Sequence, residues 1–231
     1  MTNATGLKSY FIFKNVDWSA MWSATWETIW VTLVSMIAIV IFGIILGLIL
    51  YETKNSHATI YRIINWIVGL FVDIFRSIPF IILIVLILPI TMKLAGTIIG
   101  PRAALPSLII SASPFYARMV ESYFREVDAG VIEAAESMGA STWEVIMKVL
   151  LPESKPALIA GATVTTISLI GYTAMAGAIG AGGLGNLAYQ DGFQASNNTV
   201  TLVATVIICL FVFIVQFVGD WFVRITDKRT R

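Results

Sequence analysis

Three stretches of this chain carry no charged side chain: Thr28 to Tyr51, Pro156 to Gly180 and Asn197 to Gly219. At about 1.5 Å rise per helical residue, each exceeds the roughly 30 Å hydrocarbon thickness of a bilayer. Lipid offers backbone N–H and C=O groups no partner, so such runs must satisfy them internally, as helices. Two further stretches are apolar but interrupted. Ile63 to Ile90 contains Asp73, Arg76 and Pro79, and the stretch from Ala103 carries Pro106 and Pro114. The expectation is an all-α membrane protein with five transmembrane helices, near residues 28–51, 63–90, 103–121, 156–180 and 197–221. These form one transmembrane domain over 28–223, between an outer interfacial segment (1–27) and a cytoplasmic basic tail (224–231). With 58% hydrophobic residues, 13% charged residues and a formal net charge of +1, the composition argues against a nucleic-acid binder or a soluble globular surface.

Orientation follows from lysine and arginine, which cytoplasmic loops retain. An odd number of spans puts the termini on opposite sides. With the C-terminus inside, the inner set is Lys54, Arg62, Arg118, Arg125, Lys148, Lys155, Arg224, Lys228, Arg229 and Arg231, against an outer set of Lys8, Lys14, Lys93 and Arg102. The bias therefore predicts a multi-pass protein of the cell membrane with its N-terminus outside. The loop between the third and fourth spans then lies in the cytoplasm.

That loop has its own punctuation. Asp128 is placed to cap a helix starting near Ala129. Val131, Ala134, Ala135 and Met138 fall on one side of it, and Glu133 and Glu136 toward the other. Gly139 suits a left-handed C-cap, and Ser141 with Glu144 has the spacing of a capping box opening a second helix. Pro152 and Pro156 are expected to close that helix. A helix, turn and helix projecting from membrane segments suits insertion into a partner's cleft; the plainer reading is an amphipathic connector.

Glu133-Ala134-Ala135, Gly139 and the closing Val149-Leu150-Leu151-Pro152 together resemble the cytoplasmic Glu-Ala-Ala loop of ABC-importer permeases, with Val149 where the family has Ile. The chain has no glycine-rich loop ending in Gly-Lys-Ser/Thr, so it does not hold nucleotide phosphates in that manner, and its energy comes from another chain or a gradient. Gly180-Ala181-Gly182-Gly183-Leu184-Gly185 fits the dinucleotide fingerprint formally, but it follows a membrane helix rather than a strand.

A second resemblance narrows the family. Gly171-Tyr172-Thr173-Ala174-Met175-Ala176-Gly177 running into the Gly180–Gly185 stretch, and Arg76-Ser77-Ile78-Pro79-Phe80 in the second span, are similar to the methionine-importer permeases, type I ABC importer subunits with five spans. With the loop, these matches run collinearly from about Arg76 to Gln194. The resemblance implies a second copy of this chain, two ATP-binding subunits docked on the coupling loop, and an extracytoplasmic substrate-binding lipoprotein that delivers methionine. ATP and Mg would belong to the partner ATPase, with no cofactor in this chain. Glu133, Ala134, Ala135, Gly139, Leu151 and Pro152 are the expected ATPase-coupling residues. Arg76, Ser77, Pro79, Tyr172, Met175, Gly177 and Gly180 are the expected translocation path or gate, where flexible glycines, a phenol and a thioether occur together. Small residues also simply permit close helix packing, the reading preferred for Gly43 and Gly47.

Arg76 admits two readings, since an arginine within a span costs about 2.5–3.5 kcal/mol on insertion scales unless paired or hydrated. It either pairs locally with Asp73, one turn earlier, or faces the path. Trp18, Trp22, Trp26 and Trp30 recur every four residues, which places four indoles on one helical face as an interfacial anchor, the alternative being contact with an outer partner. The N-terminal region does not read as a cleavable signal peptide. Cys209 is alone, so it forms no intramolecular disulfide and is expected to face lipid or pack. His57 has no companion ligand and reads as a solvated loop residue; no metal site and no catalytic grouping is expected. Two rivals stand beside the methionine importer: an ABC permease for another amino acid or small organic solute, and a gradient-driven transporter or channel. The latter needs intramembrane ionisable groups, of which Asp73 and Arg76 are the only two expected well inside a span.

Overall fold

The computed structural model describes residues 6–54 and 58–227, all helix, turn or loop with no strand among them. His57, Lys228, Arg229 and Arg231 lie outside the described residues. The described residues form ten α-helices: α1 Trp18–Lys54, α2 Thr59–Ser77, α3 Phe80–Leu86, α4 Leu88–Ala95, α5 Pro101–Arg125, α6 Ala129–Ser137, α7 Thr142–Val145, α8 Leu151–Ala176, α9 Gly183–Leu187 and α10 Asn198–Thr226. Wider π turns cover Ile146–Leu150, Gly177–Ala181 and Ala188–Gln194.

Among the described residues three helical runs are long and apolar enough to cross a membrane: Trp18–Lys54, Thr142–Ala181 and Asn198–Thr226. A fourth arises if the bent pair Thr59–Ser77 and Phe80–Leu86 counts as one span. The continuous second span expected over 63–90 is broken. Pro79 has no N–H to continue the ladder and disfavours a helical conformation at Ile78, while Ser77 Oγ donates to Asp73 O at 2.7 Å and closes α2. Helix α5 is 25 residues long and runs through both Pro106 and Pro114, but it contains Arg102, Arg118, Glu121 and Arg125 and is not among those apolar runs. Helix α1 starts ten residues before the apolar run, because Asp17 Oδ1 accepts from Ser19 N (2.9 Å) and Ala20 N (3.1 Å). The tryptophan row is thus the first part of α1, and Trp18, Trp22 and Trp26 are exposed. Cys209 is exposed as well.

The chain forms two compact units. In the first (described residues up to Ala38, with Ile78–Ser111 and Thr166–Val215), Val16, Met21 and Ala24 of the N-terminal region bury against Leu184, Leu187, Val200 and Ala204. Polar bonds fix the N-terminal 3₁₀ turns there: Thr199 Oγ1 donates to Ser9 O (2.9 Å) and accepts from Ile12 N (3.1 Å). The short helix α9 begins on glycines at positive φ, and its first N–H groups are taken by Glu27 Oε2 (from Gly183 N, 2.8 Å) and Thr28 Oγ1 (from Leu184 N, 2.9 Å). This satisfied turn is what the formal dinucleotide fingerprint builds.

The second unit comprises Ile39–Ser77, Ala112–Thr165 and the segment from Gln216. Its centre is Tyr116, 1% exposed, whose hydroxyl donates to Leu158 O at 3.0 Å. Gly43 and Gly47 let α5 approach α1, since a Cβ at Gly43 would stand 2.5 Å from Tyr116 Cδ1 and one at Gly47 2.6 Å from Val120 Cγ1.

Candidate coupling and translocation sites

The loop between α5 and α8 is assembled almost wholly by short-range hydrogen bonds. Asp128 Oδ1 accepts from Gly130 N at 2.7 Å and starts α6. At the other end Gly139 has φ +87°, its N–H donates to Glu136 O (2.9 Å), and Ala140 N donates to Ala135 O (3.1 Å). That pair of bonds is a Schellman motif, which uses glycine because a Cβ resists this left-handed conformation. Ser141 then opens α7 with the expected capping box, Glu144 N donating to Ser141 Oγ (3.4 Å) while Glu144 Oε2 accepts from Ser141 N (3.1 Å). Lys148 Nζ donates to Glu144 Oε1 at 2.8 Å. The Lys148 ammonium and the Ser141 bonds together hold the Glu144 carboxyl well below its ordinary range, at about 2.

Pro152 and Pro156 do not end the second helix. The π turn at Ile146–Leu150 leaves one backbone group unpaired in any case, so Pro152, in the first turn of α8, loses nothing by lacking an N–H, and Pro156 lies inside that helix. Within the loop Val145, Ile146 and Leu150 are buried, whereas Val131, Met138, Trp143 and Met147 are exposed, as are Glu133, Ala134, Gly139 and Pro152. Leu151 is half-buried, and Ala135 alone in α6 is buried. The side expected to pack therefore divides: Ala135 holds the helix down, and Val131, Ala134 and Met138 are open.

Arg76 and Ser77 belong to the second unit, and both are exposed. Arg76 Nη1 reaches Asp73 Oδ1 only at 3.8 Å, because Asp73 is already held by Arg118, with Nε at 3.2 Å from Oδ1 and Nη2 at 2.9 Å from Oδ2. Arg118 Nη1 also donates to Glu121 Oε2 at 2.7 Å, and Arg125 pairs with Glu121 Oε1. Asp73 is thus tied to Arg118 and, through it, to Glu121, at the inner end of the expected third span. The i, i+3 and i, i+4 spacing of Arg118, Glu121 and Arg125 was visible in the sequence; the reach to Asp73, 45 residues away, was not.

In the first unit the structure brings Phe80, the residue after Pro79, onto Tyr172: the rings stack with centroids 4.8 Å apart and planes 8° apart. Pro79 is exposed, Tyr172 half-buried and Met175 half exposed. Beyond Met175 the backbone leaves the helix at Ile179 and at Gly180, whose φ is +98° and whose carbonyl accepts from Gly100 N at 2.9 Å. Gly177 is buried where the chain doubles back on itself, and a Cβ there would fall 2.8 Å from Gly185 C and 2.9 Å from Gly182 O. Gly177 is thus a point of backbone contact, while Tyr172 and Met175 are the accessible groups. No cluster of three His, Cys, Asp or Glu side chains able to hold a metal occurs among the described residues.

Residues 39–231 match the model of the binding-protein-dependent transport system inner membrane component family. The chain belongs to that family. Among curated members, it is 62% identical over 166 residues to the methionine import system permease protein MetP of Bacillus subtilis (strain 168), covering 72% of this chain and 75% of that protein. It is 45% identical over 166 residues to the probable D-methionine transport system permease protein MetI of Vibrio cholerae, covering 72% and 74%. In three dimensions it is similar to a chain of the MetNI methionine ABC transporter in an inward-facing conformation, with a TM-score of 0.88, 42% identity, and coverage of 91% of this chain and 98% of that one. This places the fold among inner membrane transport components.

Proposed function

We propose that this chain is the permease subunit of an ATP-driven importer of methionine, a translocation subunit and not an enzyme. The observation that carries the reading is the loop from Asp128 to Pro152: a helix capped at both ends and presenting exposed Val131, Ala134 and Met138, in a chain 62% identical to a methionine import permease. A rigid, solvent-facing apolar knob is what transmission of force to a partner requires, since a flexible loop would absorb the displacement.

In this reading five spans near 28–51, 63–90, 103–121, 156–180 and 197–221 cross the cell membrane with the N-terminus outside and the C-terminus inside, the bent pair α2 and α3 contributing the second. Two copies of the chain form the path. Two ATP-binding subunits, which carry ATP and Mg, dock on Glu133, Ala134, Ala135, Gly139, Leu151 and Pro152, and an extracytoplasmic lipoprotein delivers the solute. ATP binding draws the two docked loops together and opens the path outward; hydrolysis reverses it. The drive is the ATPases' different affinity for the two permease states. Pro79, Tyr172, Met175 and Gly180 line or gate the path, with Arg76 and Ser77 on the adjoining helix; Gly177 fixes the turn behind them. The tryptophan row lies at the outer membrane interface, and the basic tail from Arg224 is cytoplasmic.

The test is growth. A methionine auxotroph lacking its own importers, supplied with this chain, its ATPase and its binding protein, is expected to grow on micromolar methionine and to stop when a charged residue replaces Ala134. Growth that a protonophore abolishes while ATP is maintained, or growth that depends on another amino acid, would overturn the energy source or the solute respectively.

A further inference from the structure

The second unit contains a charge ladder that the coupling loop does not need for its own folding. Glu121, only 5% exposed, holds Arg125 on Oε1 and Arg118 on Oε2. Arg118 directs its remaining donors out of its own helix, to both oxygens of Asp73 and to Gly69 O at 3.4 Å. A continuous bridge therefore runs from Arg125, the last residue of α5, to the backbone and side chain of α2. Residues 126–128 alone separate Arg125 from α6, so a displacement of α6 is delivered close to the foot of the ladder. Only arginine fits the middle position, since one planar fork faces Asp73 on one edge and Glu121 on the other. Removing Arg118 cuts the bridge in the middle, leaving the exposed Asp73 with Arg76 at 3.8 Å and the buried Glu121 with Arg125, so nothing then ties α5 to α2 through these charges.

We infer that Asp73, Arg118, Glu121 and Arg125 are positioning residues of the transport cycle, which make α2 and α5 move as one body when the loop carrying α6 is displaced. The inference rests on the reading of this chain as an importer permease. The residues act through the backbone of α2, not on the solute.

The experiment uses the complete transporter, permease and ATPase subunits, in proteoliposomes with methionine-loaded binding protein, and reads solute moved per ATP hydrolysed. Arg118→Ala and Asp73→Ala are each expected to lower that ratio about tenfold, within the roughly 5–150-fold span of coupling between sites, while hydrolysis continues. The double variant falls no further than either single one, because both cut the same bridge. Arg118→Lys, which keeps the charge and loses the fork, falls severalfold. A second measurement stands where transport is lost altogether: spin labels at Tyr61→Cys and Ser137→Cys, in a Cys209→Ser background and carried by one of the two permease copies, keep one separation with and without ATP in the wild type and two separations in Arg118→Ala. Unchanged ratios, additive losses or a single separation in Arg118→Ala overturn the inference. A wild-type transporter unresponsive to loaded binding protein overturns the importer reading itself, and with it this one.

Discussion

Replacing Gly139 with alanine isolates one contribution to coupling. At φ +87° an L side chain is strained by roughly 1–2 kcal/mol relative to glycine. A Cβ at this position meets nothing within 4 Å, so no packing clash adds to the strain. The whole cost falls on the backbone of the Schellman turn, whose two bonds from Gly139 N and Ala140 N set where α6 ends and α7 begins. A loop free of its partner can relieve the strain by unwinding, but a docked loop cannot, so the penalty appears in docking. A difference of 1–2 kcal/mol weakens ATPase binding by a factor of about 5–30. Asparagine tolerates the left-handed region and is expected to recover most of the loss. Titrating detergent-solubilised permease with fluorescent ATPase subunit measures both variants directly. Equal weakening by alanine and asparagine, or none by alanine, would refute the backbone account.

Gly185→Ala drives a Cβ into the Ala174 backbone, whereas Gly171→Ala meets nothing within 4 Å; the first is expected to cost about 1–3 kcal/mol of overpacking, read as a lower unfolding midpoint, and the second close to nothing. Tyr172→Ala removes the stack on Phe80 and about 0.5–1.5 kcal/mol with it, while Tyr172→Phe keeps the ring; uptake lost in both variants assigns the hydroxyl to the path, and uptake kept by phenylalanine assigns the ring. Because the folded Glu144 carboxyl is depressed to about 2, the stabilisation it gives the capping box is complete above the ordinary carboxylate range and fades only as pH falls toward 2. Amide exchange at Ser141 is expected to stay protected, relative to a Glu144→Ala variant, from pH 7 down to about pH 4.5; loss of the difference by pH 6 contradicts the assignment.

Local signals were the legible ones. The Asp128 cap, the Gly139 turn and the Ser141–Glu144 box each involve partners within five residues, and the structure builds all three as the spacing indicates. The four-residue spacing of the tryptophans indicated a helix before Thr28, but hydropathy gave no sign that Asp17 caps it or that it runs unbroken into the first span. Pro152 and Pro156 misled because proline usually stops a helix, and nothing in their neighbours announced the π turn that accommodates them. Pro79 did announce a break, but the apolar run across it masked its consequence. Pairings across the fold, Asp73 with Arg118 and Phe80 with Tyr172, depend on chain segments far apart in sequence and have no local signature.

Coupled import is the claim most open to direct measurement. Proteoliposomes containing this chain and its ATPase subunits, given ATP inside and binding protein loaded with labelled methionine outside, are expected to accumulate methionine against its gradient. They are expected to hydrolyse ATP faster than with empty binding protein, and to stop when a hydrolysis-dead ATPase is substituted. Accumulation that persists with the dead ATPase, or hydrolysis stimulated by a different solute and not by methionine, would contradict the account.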